Sequence, residues 1–352
     1  MKPRVAGGAF ARFLLVLLLA GLAVAGWQWQ RYQGFADAPL AGIDAGDSLV
    51  VARGDSLDKV LRTLQAQGVD TGDRVQWQVL ARQTGAAGKL QVGEYALAPD
   101  TSPRALLLAM RDGKVVRRNF TIVEGWNIRD VRAALAKVEG LEHDSAGLDD
   151  AALMKALGHP GQHPEGRFLP ETYAWVKGDS DLDLLKRAHK AMQEALDEAW
   201  ASRADDLPLK NADEALVLAS IVEKETGIAE ERPAIAGVFV RRLQIGMRLQ
   251  TDPTVIYGMG AAYAGNIRRS DLTTDTPYNT YTRAGLTPTP IAMPGKAALR
   301  AATRPADGDA LYFVAVGDGS GRHVFSASLD AHNAAVRDYV QRYRAQRQAA
   351  PK

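Results

Sequence analysis

The sequence predicts an α+β protein: a small mixed unit, then a mostly helical domain with small β elements, both behind one apolar N-terminal helix. Three observations carry that reading. An apolar run from Phe13 to Trp27 follows a basic tail holding Lys2, Arg4 and Arg12. Between Ser48 and Leu97 the hydrophobic pattern changes in the order strand, helix, helix, strand. Beyond Asp181 the apolar residues recur mainly at helical spacing. At 352 residues, 46% hydrophobic and 24% charged, the chain has globular averages and the length for two folded units.

A basic flank before an apolar core opens both signal peptides and signal anchors. The run is about 15 residues against the roughly 20 of a comfortable span, and Trp29 and Tyr32 extend it as interfacial aromatics. A transmembrane anchor over 13–32 is therefore expected, with 1–12 as a cytoplasmic basic tail. Ala23-Val24-Ala25 also fits a small-x-small cleavage site, so a removed signal stays open as the alternative. Either way the positive-inside rule sends the chain after Tyr32 out of the cytoplasm. Residues 33–47, rich in Gly, Ala and Asp, read as a linker.

Ser48–Ala52 reads as a strand. Leu57, Val60, Leu61 and Leu64 give a helix over 56–67, and Val75, Val79 and Leu80 a second over 73–84. Gln91–Leu97 is the next strand, and Ser102-Pro103 opens a helix as cap and first residue. Val115–Ile122 is a strand, and Asn127 caps the helix after it. These boundaries give a subdomain over 48–115, a larger domain over 116–346 and a tail over 347–352. In the larger domain, helices are predicted over Asp181–Ala201, Asp213–Thr226 and Pro233–Ile245. Met247–Pro294 then reads as one long polar loop carrying Tyr257, Tyr263, Tyr278 and Tyr281; loops of that length tend to be functional. A hairpin around Gly317–Gly321 and a helix from Asp330 complete the chain.

Several chemistries are excluded. The chain has no cysteine, so thiolate nucleophiles, disulfides and thiolate metal sites are absent. Its 43 basic and 41 acidic residues leave a net charge of +2, without the basic excess that marks a nucleic-acid partner. None of the six histidines forms an H-E-x-x-H pair, and Pro160-Gly161 between His159 and His163 argues against one metal-binding helix face. There is no G-x-S-x-G elbow, and Gly85–Lys89 lacks the pattern of a phosphate-binding loop. Carboxylate acid–base chemistry is what remains, with no metal and no cofactor expected.

The leading carboxylate is Glu225. At about 100° per residue it shares an apolar stripe with Leu218, Ile221 and Val222, whereas Glu223 points nearly the other way. Partial desolvation and the negative end of the helix dipole both raise its pKa, as a general acid near neutral pH requires. On periodicity alone two roles stay open: that acid, or an end-of-helix side chain that reaches solvent or pairs with Arg232 or Arg241. Two further clusters, Glu165–Tyr173 and Met247–Gly258 with Thr276–Tyr281, combine carboxylates, uncharged polar groups and aromatic rings. That mixture suits a neutral sugar polymer better than phosphate or nucleic acid.

The motifs ASIVEKET, RRLQIGMRLQTDPTVIYGMG from Arg241, TPYNTYTRAGLTPTPIAMPG from Thr276 and EGRFLPETY from Glu165 closely resemble the endolytic murein transglycosylase (YceG-like) family. The resemblance covers nearly everything after the apolar segment. It implies an inner-membrane protein with one N-terminal helix, a LysM-like subdomain and a periplasmic catalytic domain. The second glutamate of the ASIVEKE-type motif, Glu225 here, is the implied catalytic residue. Glu171, Tyr173, Gln250, Thr251, Asp252, Tyr257, Tyr278, Asn279 and Tyr281 are expected to contact substrate. The implied reaction is non-hydrolytic cleavage of the MurNAc–GlcNAc β-1,4 bond within peptidoglycan glycan strands, ending their elongation, with penicillin-binding proteins as partners. A hydrolase using Glu171 or Asp252 beside Glu225, and a non-enzymatic glycan-binding scaffold built on Ser48–Leu97, are the competing readings.

Overall fold

The computed structural model describes residues 7–349, so the basic residues Lys2 and Arg4 and the end of the tail lie outside the described residues. The chain divides into two compact units. One runs to Arg118 and takes in Val176–Gly178; the other comprises Asn119–Trp175 and the chain from Asp179 onward.

The first unit begins with α1 (Gly7–Asp37), whose segment Phe10–Asp37 is long and apolar enough to cross a membrane, with a mean hydropathy of 2.1 over an 18-residue window in which no residue is buried. The region expected to be a linker is part of the fold. α1 continues to Asp37, Ala36 is fully buried, and Leu40 and Ile43 join the same core. Gly- and Asp-rich composition suggested flexibility, but Phe35 packs edge-on against Trp77 at 5.7 Å and Arg104 holds Asp37 at 2.6 Å. β1 (Ser48–Val51) is followed by α2 (Leu57–Ala66) and α3 (Arg74–Gln83), then β2 (Gly93–Ala96) and α4 (Pro103–Asp112). β1 and β2 pair antiparallel, Leu49 opposite Tyr95. Ser56, Asp73 and Ser102 each cap a helix with the side-chain oxygen, as such residues do. Trp77, Leu80, Tyr95, Leu106 and Leu107 fill the core between strands and helices.

The second unit takes most of β3 (Arg118–Thr121), then α5 (Ile128–Leu135), α6 (Asp150–Ala156) and β4 (Thr172–Trp175), which pairs with β3. Helices α7 (Asp181–Ala201), α8 (Ala212–Glu225) and α9 (Arg232–Gln244) follow. The stretch expected to be a single loop contains α10 (Asp252–Met259) and the short α11 (Arg269–Thr273). α12 (Lys296–Thr303), unpredicted, buries Ala298, Leu299, Ala301 and Ala302 in the helical core. β5 (Tyr312–Ala315) and β6 (His323–Ser326) form the predicted hairpin, Phe313 opposite Phe325, and α13 (Leu329–Ala349) lies against it.

α8 is the axis of this unit. Every residue from Ala215 to Glu223 is buried, so the helix has no solvent face between its first turn and Lys224. The one-sided stripe read from periodicity is thus corrected: α7, α9 and α12 surround α8, and its small Ala215, Ala219 and Ser220 let them approach closely.

Candidate active site

Glu225 is the last residue of α8, where the chain leaves helical geometry at Thr226. It opens into a cavity of about 550 Å³ whose wall includes Arg242, Gln250, Thr251, Asp252, Tyr281, Tyr312, His332 and Asn333. The Thr251 hydroxyl donates to Glu225 Oε1. Burial raises the pKa of Glu225 most, the neighbouring Asp252 charge adds to that, and the Thr251 bond acts in the opposite direction. Glu225 therefore keeps its proton to higher pH than an ordinary glutamate, and its carboxylate has a hydroxyl placed to accept from.

A threonine cluster fixes that hydroxyl. Thr251 N donates to Thr280 Oγ1 at 3.1 Å, and Thr254 Oγ1 lies 2.8 Å from Thr251 O and 2.9 Å from Thr280 Oγ1. All three threonines are buried. Gln250, one residue earlier, has φ +50°, the one positive φ outside glycine among the described residues. A side chain in that region is held by its surroundings, and such strain gathers at functional sites. Gln250 N donates to Thr280 O at 3.2 Å, and Arg242 donates to Leu249 O at 2.6 Å and to Leu311 O at 2.7 Å, tying the turn to the start of β5. Asp252 begins α10 and accepts from Tyr281 Oη at 2.6 Å. On the far wall His332 stacks on Tyr312 with centroids 5.2 Å apart.

Five of the ten predicted site residues therefore meet in one cavity: Glu225, Gln250, Thr251, Asp252 and Tyr281. The others do not line it. Asn279 is buried; its amide donates to the Asp271, Leu272 and Thr274 carbonyls and its oxygen accepts from Tyr281 N, so it shapes the loop rather than offering a free contact. Tyr257 and Tyr278 pack edge-to-face at 4.9 Å, with their hydroxyls on Glu165 and Thr289. Tyr173 donates to Leu169 O at 2.7 Å, and Glu171 is an exposed partner of Lys296 at 3.5 Å. Arg242, Tyr312, His332 and Asn333 escaped sequence reasoning. Only the Arg241-Arg242 pair in the last turn of the largely buried α9 hinted at them.

Glu223 was expected to face away from the apolar stripe and instead is itself buried. It accepts from Arg232 at 3.1 Å and from Gly295 N at 2.9 Å, at the start of α12. Among the described residues no three His, Asp or Glu side chains come together as a metal-holding group.

Fold and site together define a class: a helical core that presents one desolvated carboxylate, propped by a hydroxyl, to an open cleft of polar and aromatic side chains. That is the equipment of single-carboxylate acid–base catalysis. The model of the YceG-like family matches residues 49–338, and the chain belongs to that family. It is 30% identical over 307 residues to the endolytic murein transglycosylase of Bacillus subtilis (strain 168), covering 82% of this chain and 84% of that protein. An endolytic murein transglycosylase of Streptococcus pneumoniae (strain D39) is 31% identical over 288 residues, 71% of this chain but only 51% of the relative. Among solved structures, a yceG-like protein from Listeria monocytogenes matches with a TM-score of 0.50 and 26% identity, covering 82% of this chain and 98% of that one.

Proposed function

We propose that this chain is an endolytic murein transglycosylase that cleaves the MurNAc–GlcNAc β-1,4 bond inside peptidoglycan strands. The observation that carries the reading is Glu225, a carboxylate with a raised pKa at the mouth of a polar cavity. In its protonated form Glu225 gives its proton to the glycosidic oxygen as the bond to the anomeric carbon breaks. As carboxylate it then takes the proton of the MurNAc 6-hydroxyl, whose oxygen bonds to that carbon and closes a 1,6-anhydro ring. The nucleophile is internal to the substrate, so no water and no second activating carboxylate is needed. Intramolecular attack also gains effective molarity.

The hydrolase reading has Asp252 as its best second carboxylate, since Asp252 lines the same cavity; Glu171 does not, and its pairing with Lys296 removes it from that role. Digesting purified sacculi and weighing the new chain ends separates the two. Anhydro ends support the transglycosylase, and reducing MurNAc ends overturn it.

The remaining parts of the reading follow from it. α1 is the single membrane anchor, and both units lie in the periplasm. Residues 48–115 are a LysM-like subdomain that helps hold glycan, and the cleavage ends strand elongation beside penicillin-binding proteins. Protease added to spheroplasts should digest the chain beyond Asp37; full protection would overturn the topology.

A further inference from the structure

We propose that the end of the first unit nearest the apolar stretch of α1 is a docking surface for anionic phospholipid headgroups. The proposal rests on α1 being the membrane anchor. Its starting point is that α1 is not tethered to the unit but built into it. Tyr32 donates to Gln83 Oε1 at 2.5 Å, Phe35 packs on Trp77, and Arg104 reaches both Gln33 at 3.3 Å and Asp37 at 2.6 Å. Trp29, exposed and 5.9 Å from the Tyr32 ring, marks the aromatic level at which a span meets headgroups. Tyr32 is three residues further on, only about 4.5 Å along the helix. The unit therefore begins where the bilayer ends.

The contacts also give the unit's direction. Moving along α1 toward its apolar stretch, from Phe35 to Tyr32, the partners on α3 move from Trp77 to Gln83, so the C-terminal end of α3 faces the membrane. The turn after α3, residues 84–90, lies at that end. The last residues of α4 join it there, because Arg111 donates to Thr84 O at 2.6 Å. This end is basic. Arg82, Lys89 and Lys114 are exposed, and among the described residues none of the three is in an ion pair. The acids close by are neutralised: Asp112 by Arg111 at 2.6 Å and Asp55 by Lys59 at 2.7 Å. Between the cations Ala87 carries only a methyl group and Gly88 no side chain, so the backbone of the turn can approach a flat charged surface. Anionic lipids attract basic groups held within a Debye length of the surface, and the contacts of α1 with α3 and α4 keep these three at the membrane end of the unit. The opposite end of the unit, near Arg62 and Gly72, lies about one α3 length away, about 15 Å further from the bilayer.

The absence of native cysteine makes the test direct. The full chain is reconstituted into vesicles of phosphatidylcholine with phosphatidylglycerol, carrying one environment-sensitive label at Ala87→Cys, Arg62→Cys or Val24→Cys. Headgroup-attached nitroxide should quench the label at position 87 several-fold more than at 62. That difference should shrink with R82E/K89E, in pure phosphatidylcholine, and in about 1 M salt, where the Debye length is about 3 Å. Equal quenching at 87 and 62, with Val24→Cys quenched from the acyl chains, overturns the docking surface and leaves the anchor standing. An unquenched Val24→Cys overturns both. Strong quenching at 87 that ignores lipid charge, salt and R82E/K89E overturns the headgroup recognition.

Discussion

The Thr251 hydroxyl donates to Glu225 Oε1, joining the first turn of α10 to the last residue of α8. The bond opposes the effect of burial: it favours the carboxylate, while desolvation and Asp252 favour the acid. A residue that must first give a proton and then take one works best between those extremes. Removing the hydroxyl should leave Glu225 protonated to higher pH. We expect Thr251→Val to move the alkaline limb of the pH profile on sacculi upward and to lower turnover, with the fold retained. A limb that stays in place would show that the bond does not tune Glu225.

Glu225→Gln keeps size and hydrogen bonding but removes the transferable proton. General acid–base groups contribute about 10²–10⁴-fold, and here one group makes both transfers, so turnover should fall to or beyond the upper end. Circular dichroism should be unchanged. Wild-type-like release of fragments by Glu225→Gln would move the chemistry to another carboxylate, with Asp252 first in line.

Glu223→Gln should fail differently. Glu223 and Arg232 form a buried pair, and taking the charge from one partner of such a pair destabilises by about 3–5 kcal/mol when nothing replaces it. Glu124, 3.4 Å from Arg232, offsets part of that loss. A lowered Tm is expected, with turnover at permissive temperature within about tenfold of wild type, about 1.4 kcal/mol in barrier. Equal Tm with lost turnover would place Glu223 in the chemistry instead.

Gln250 separates strain from contact. Its φ of +50° costs a residue with a side chain about 1–2 kcal/mol, and glycine escapes that while adding unfolded-state entropy of similar size. Gln250→Gly should therefore hold Tm while reducing kcat/KM, if the amide meets substrate. A loss of stability with full activity would show that the side chain serves the fold alone.

The legible parts of this chain were those set by local rules. The helix starts near Ser56 and Asp73, the caps Ser102 and Asn127, the Gly317–Gly321 hairpin and the apolar N-terminal run each follow from neighbouring residues. The site was half legible, because Gln250, Thr251 and Asp252 are contiguous and follow directly on the helix pair that carries Glu225. What escaped depends on distant partners. Asn279 looks like any loop amide until three carbonyls close around it, and Glu223 looks exposed until α9 and α12 enclose it. Tyr312 and His332 come from chain far past the motifs, and only the tertiary fold brings them opposite Glu225.

Glu165 offers a readout of the fold that does not involve the reaction. It is fully buried, its carboxylate accepts from Ile128 N at the start of α5 at 3.1 and 3.2 Å and from Tyr257 Oη at 3.0 Å, and burial pushes its pKa up to about 7. The unfolded chain gives an ordinary glutamate, near 4.5. Between those values the folded state binds more protons than the unfolded state, so stability falls as pH rises from 4.5 to 7 and levels off above. A shift of that size is worth roughly 3 kcal/mol, an upper figure because other groups titrate in the same window. Glu165→Gln cannot charge, and its amide oxygen can still accept from Ile128 N. The variant should therefore lose that pH slope: its Tm relative to wild type should rise steadily from pH 4.5 to pH 7. Parallel Tm curves over that range would show that Glu165 is charged in the native state throughout, held by the α5 amide and Tyr257 against the effect of burial.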